Sequence, residues 1–173
     1  VSCLRGAELV ALSASCTDKV MLQDVAVAPD WILAGPIEDV MRSGTGAGTG
    51  GLQTSTLAIG LSRAAVNYVA QEAIKRTDLQ PIVEPLVAQV DELEARLLAA
   101  AAGDACDPGE LRGDANRLVV RTTQAAMTTA KGAGFVDGHP VGRWCREALF
   151  FLVWSCPQPV AAAQLCELAG IES

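Results

Sequence analysis

The chain has 173 residues, half of them hydrophobic, with a formal net charge of −7 and a sequence pI near 4.6. An acidic chain with no clustered Lys and Arg lacks what phosphate binding requires, which argues against a nucleic-acid partner. No apolar run reaches the length of about 18 residues that a membrane-spanning helix needs, so no membrane partner is expected.

The first element in chain order is read within residues 18–36, "DKVMLQDVAVAPDWILAGP", where Met21, Val25 and Val27 alternate as in a half-buried strand. Pro29 and the residues after it predict an extended exit. Upstream, "LRGAELVALSASC" offers one further short strand. Residues 1–36 are too few to close a sheet around a core, so these strands are expected to pair with something outside the segment. Together with Val1 at the first position, this suggests a piece of a longer protein, with residues 1–36 the end of a β-domain.

Residues 37–51 are glycine-rich and read as a hinge. Gly46, Gly48 and Gly51 satisfy the spacing G-x-G-x-x-G. A dinucleotide-binding turn also needs a buried strand before it, and "IEDVMRSGT" is too polar for one.

Residues 52–173 predict helices. The first, over 52–75, carries Leu57, Leu61, Ala64, Ala65 and Tyr68 on one face. The second follows Pro81, and its Leu86, Val90, Leu93 and Leu97 step by 4, 3 and 4. "GDACDPGELRGD" interrupts the pattern and predicts an exposed loop. Further helices are expected over 112–131, 141–153 and 158–169. Short turns between them predict a mainly α fold, an antiparallel helical bundle preceded by a short β segment. The apolar stripes of the second helix and of "ALFFLVW" predict a homo-oligomer, dimer or tetramer.

Cysteines stand at 3, 16, 106, 145, 156 and 166, without a CxxC pair and with one histidine in the chain. That spacing offers no zinc site, and the apolar content makes a disulfide framework unnecessary. Buried free thiols in a cytoplasmic protein are the expectation. His139, placed just before Pro140, reads as a helix-start residue rather than a catalytic base, since no nucleophile constellation accompanies it.

The stretch "KGAGFVDGHPVGRWCREALFF", residues 131–151, resembles the signature near the end of acyl-CoA dehydrogenases. There a Gly-Gly-x-Gly-Phe turn leads to a Pro-Val helix start and an Arg-Asp-Ala or Arg-Glu-Ala element. The corresponding residues here are Gly132, Gly134, Phe135, Pro140, Val141 and Arg146-Glu147-Ala148. "VMLQDVAVAPDWILAGP" is similar to the close of that family's middle β-domain, and "LAIGLSRAAVNYVAQEA" to the first helix of its C-terminal domain. The three matches occur in family order and span nearly the whole chain.

The resemblance implies the C-terminal portion of an FAD-dependent oxidoreductase, a flavoprotein acting on an acyl-CoA or related thioester. It implies that the glycine turn at Gly132 and Gly134, with Arg76, Leu79 and Thr128, faces the flavin of a neighbouring subunit. Leu79 stands where the family's Arg-x-x-Phe element has its aromatic, and Thr128 where a glutamine is typical. Arg76 is open between that role and a solvated place at a helix C-terminus, where a cation suits the dipole. Trp154 is open between a substrate contact and the interior or an interface. The family's catalytic glutamate position is occupied by Ser155, and the alternative position by Gly50 and Gly51. A chain with both carboxylates missing is not expected to be competent alone. A non-catalytic helical oligomerisation module with a decayed flavin site is the alternative.

Overall fold

A computed structural model describes residues 1–38 and 52–171. The chain divides into two units, residues 1–48 and 49–173. The hinge glycines Gly46, Gly48, Gly50 and Gly51 lie outside the described residues.

In the first unit, β1 (Ser2–Cys3) pairs antiparallel with β2 (Val20–Met21), Ser2 opposite Met21 and Cys3 opposite Val20. The strand expected through Val25 and Val27 therefore stops at Met21, and its pairing is internal. Pro29–Trp31 forms a 3-10 turn in place of the extended exit. No described residue of this unit is buried, and Leu33 is 99% exposed. A two-residue ladder has too little side-chain area to form a core of its own.

The second unit is helical: α1 (Leu52–Lys75), α2 (Gln80–Ala101), α3 (Pro108–Ala130), α4 (Pro140–Phe150) and α5 (Gln158–Ala169). The helix α3 packs against each of the other four. Leu86, Val90, Leu93 and Leu97 of α2 meet Leu111, Leu118 and Val119 of α3 and Ile59 and Val66 of α1 in the larger core. The stripe on α2 is thus covered within the unit, and that half of the sequence argument for an oligomer falls away.

The core face of α1 differs from the expected one. Leu57 is exposed, whereas Ala58, Ser62, Ala65, Val66 and Val69 are buried. Small residues let α1 and α3 approach closely, and the hydroxyls this traps are satisfied along their own helices. Ser62 donates to the Ala58 carbonyl at 2.9 Å, and Thr123 donates to that of Val119 at 2.7 Å.

Two helix boundaries depart from expectation. The helix α3 begins at Pro108 rather than near 112, so half of the expected loop is helical. Asp107 Oδ1 accepts from the backbone N–H of Gly109 at 2.7 Å and Glu110 at 3.2 Å, and Pro108 takes the first turn, where its missing N–H costs nothing. The helix α4 ends at Phe150, and residues 151–155 form turns. The cysteines are free, as expected, but none is buried: Cys3, Cys16 and Cys106 are exposed and the other three half-buried. No helix among the described residues is long and apolar enough to cross a membrane.

Candidate functional site

The residues singled out in the sequence fall at the two ends of α4. At its N-terminal end, Lys131–Phe135 forms a 3-10 turn leading from α3. His139 is the N-cap of α4, its Nδ1 accepting from the Val141 N–H at 3.3 Å. Its ring meets Tyr68 edge-on at 5.8 Å, and Tyr68 meets Trp144 edge-on at 6.3 Å. A capping, packed imidazole is the structural role expected of it.

Arg76 is brought to this same end. Its Nη1 donates to the Thr129 carbonyl at 2.8 Å, one of the carbonyls that the end of α3 leaves without a helical partner. Thr128 stands beside it, exposed, with its hydroxyl turned back to the Gln124 carbonyl at 3.0 Å. Leu79 is buried in the turn between α1 and α2. Gly132 has open space where a side chain would begin. A hollow of about 420 Å³ lies over the glycine turn, lined by Met127, Gly134, Phe135, His139, Gly142 and Arg146. Burial raises the Tyr68 phenol above its usual range, Glu72 adds to this, and Arg76 opposes it.

Within the chain, two of these side chains are already engaged and a third is buried. The Nη1 of Arg76 and the Thr128 hydroxyl are engaged with carbonyls, and Leu79 faces the interior.

The other end of α4 lies about 16 Å away, the length of eleven helical residues. Trp154 is half-exposed and stacks on Phe150, ring centres 5.1 Å apart. Ser155 adopts φ 47°, the left-handed region, and is half-buried. Beneath this turn lies a residue at the boundary between the expected loop and the helix expected over 112–131. Arg112 is fully buried, and its Nη2 donates to the Phe151 carbonyl at 3.0 Å and the Trp154 carbonyl at 2.9 Å. Its Nε donates to Asn116 Oδ1 at 2.9 Å, and Nη1 has no partner. Burial pushes this guanidinium down from its usual range, and Cys156 opposes that shift.

Only one pattern could have flagged Arg112 beforehand. With Asn116 and Val119 it follows Leu111 and Ala115 around the buried face of α3.

No described group of His, Cys, Asp and Glu side chains is placed to hold a metal ion. The arrangement at Ser155 offers backbone groups and a hydroxyl, and no carboxylate stands at that position to take a proton. The chain matches no family model, no curated protein and no solved structure.

Proposed function

We propose that this chain is the C-terminal helical portion of an FAD-dependent acyl-CoA dehydrogenase-like oxidoreductase, an antiparallel bundle carrying the tail of its β-domain. Its place is the cytoplasm, its substrate class an acyl-CoA or related thioester, and its assembly a homo-oligomer. The observation that carries the reading is the backbone of Lys131. It adopts φ 55° and ψ −143°, a region that favours glycine, at the position where the family's turn has its first glycine. A second support is that Arg76 lies at the same end of α3 as Thr128 and the glycine turn, its Nη1 on the Thr129 carbonyl. The flavin is held by parts of the assembly outside the described residues.

The visible absorbance of the full-length protein tests this. The two-banded spectrum of a bound flavin is the expected result, and a colourless protein with intact fold overturns the reading.

One arrangement favours the alternative, a non-catalytic helical oligomerisation module. The position of the family's base holds Ser155, and Leu149, Val153, Leu165 and Leu168 leave an exposed apolar surface on α4, α5 and the turn between them. Under that reading the protein is colourless and sediments as a dimer or tetramer at micromolar concentration.

A further inference from the structure

The end of α4, the turn after it and α5 carry apolar side chains that the bundle leaves uncovered. The turn continues the helical path, with the Leu152 N–H on the Leu149 carbonyl at 3.2 Å and the Val153 N–H on that of Phe150 at 3.1 Å. Leu149, Leu152 and Val153 therefore share one side of the chain. On α5, Leu165 and Leu168 share a side in the same way, and each is two-thirds or more exposed. The two sets meet at a groove of about 540 Å³ between α3 and α5, where Leu152 and Leu168 stand with Val120 of α3.

These five leucine and valine residues of α4, the turn and α5 expose about 500 Å², as much as the largest apolar patch of a typical monomer. The exposed parts of Arg117, Arg121, Gln124 and Glu167 rim the groove. With them the face reaches roughly the 800 Å² per partner that a stable interface buries.

The rim carries both signs on opposite walls. Arg121 on α3 is exposed and makes no ion pair among the described residues, whereas Arg117 is engaged with Asp114. Glu167 on α5 is more than half exposed, and Arg117 reaches it only at 3.4 Å. Such a rim is complementary to itself: a two-fold axis across the groove sets Arg121 of each copy against Glu167 of the other. Both pairs form in one contact, and they offset the repulsion between two chains that each carry a net charge of −7.

We propose, resting on the homo-oligomer of the proposed function, that its two-fold contact is this α4–α5 face. The apolar surfaces of two copies pack together, and Arg121 pairs with Glu167 across the axis.

Sedimentation equilibrium of the whole chain tests the contact. Wild type is expected to associate at micromolar concentration. Arg121→Glu places two carboxylates together at both crossings, and Glu167→Arg places two guanidinium groups there. Each variant is expected to weaken association by about tenfold or more. Both changes are at exposed positions, so far-UV circular dichroism should match that of wild type. An equimolar mixture of the two variants should regain wild-type association, because the mixed dimer has opposite charges at both crossings. A change confined to one chain cannot produce that recovery. A wild-type monomer overturns this contact together with the homo-oligomer. Association that neither variant weakens, or weakened variants that fail to recover on mixing, overturns the contact alone and leaves the homo-oligomer standing.

Discussion

The carbonyl oxygen of Gly134 lies where the side chain of residue 142 would begin: a Cβ on Gly142 would stand 2.5 Å from it. The glycine turn after α3 and the first turn of α4 are therefore packed backbone to backbone. Because the obstacle is backbone, it cannot swing aside as a side chain could. Gly142→Ala should cost about 1–3 kcal/mol in strain, against a helix-propensity gain of about 1 kcal/mol. A net loss is expected in urea unfolding. Gly60→Ala is the control, since that exposed position on α1 meets nothing within 4 Å. It should gain up to about 1 kcal/mol, and the reverse order of the two variants would contradict the close approach.

Lys131 pays for its backbone with strain. A non-glycine residue in such a region costs on the order of 1–3 kcal/mol. Lys131→Gly gives back part of that through added chain entropy in the unfolded state, so a gain of about 1 kcal/mol is expected. Its midpoint of thermal unfolding should rise. A fall would mean that the turn does not hold residue 131 at positive φ.

Tyr68 offers a single-group measurement, because it is the only tyrosine in the chain. Burial raises its phenol, with Glu72 adding to the effect and Arg76 opposing it. Tyrosinate absorbance should therefore appear above the usual range, near pH 10. Arg76→Gln should move that midpoint further up and Glu72→Gln should move it down. The linkage has one sign. The folded state holds the phenolic proton more tightly than the unfolded chain does. Its contribution to stability is present below the ordinary phenol range and is lost as pH rises through the raised folded-state value. The Cys145 thiol, raised chiefly by burial, contributes with the same sign from its own lower range. Unchanged midpoints in both variants would separate Arg76 and Glu72 from this ring.

These elements were unequally legible in the sequence. The bounds of α5 and the buried stripe of α2 follow from Pro157, Gly170 and a 4-3-4 spacing, which are local signals. The start of α3 was misread for a physical reason. Asp107, Pro108 and Gly109 look like breakers, yet Asp followed by Pro is also how a helix begins. Leu57 was assigned to the core of α1 by residue type, although the close α1–α3 contact selects Ala and Ser instead. The helical period alone places Arg112 on the buried face of α3; its partners, the Phe151 and Trp154 carbonyls, are some forty residues away and leave no local signal. Of the candidate site, Arg76 and the glycine turn lie at the same end of α3, while Trp154 and Ser155 stand at the far end of α4.

Arg112 should dominate the stability of the turn after α4. Arg112→Ala strands two carbonyls and the Asn116 amide oxygen in a buried place, and a buried acceptor left without its donor costs about 1–3 kcal/mol. Arg112→Met keeps most of the volume and removes the burial of a cation, so a smaller loss is expected. Hydrogen exchange should show the last turn of α4 and residues 151–155 losing protection in both variants. Equal stability of wild type and Arg112→Ala would contradict the hydrogen bonds described here.

Ser155 joins the local backbone to the proposed chemistry. Its φ of 47° is disfavoured for any residue with a Cβ, by roughly 1–2 kcal/mol. Ser155→Gly should therefore stabilise the fold by up to about 1 kcal/mol, while Ser155→Glu should leave stability near that of wild type because it keeps a Cβ. The chemical consequence is separate. Under the flavoprotein reading, residue 155 stands where a carboxylate removes the α-proton of the thioester, and a serine hydroxyl with no partner base cannot do so. Under that same reading, the backbone N–H at 155 survives the side-chain change and would still stabilise a developing oxyanion through the main chain. Ser155→Glu in the full-length, flavin-loaded protein should then restore exchange of the acyl-CoA α-proton for deuterium. General-base catalysis contributes about 10²- to 10⁴-fold, well above background exchange. Arg112 bears on the outcome, because it fixes the Trp154 carbonyl and with it the direction in which residue 155 leaves the turn. Exchange in Ser155→Glu that is lost again in Ser155→Glu/Arg112→Met would place both residues in one mechanism. Bound flavin and acyl-CoA without exchange in Ser155→Glu would instead mean that residue 155 does not face the thioester, with the turn at 151–155 held by Arg112 for packing alone.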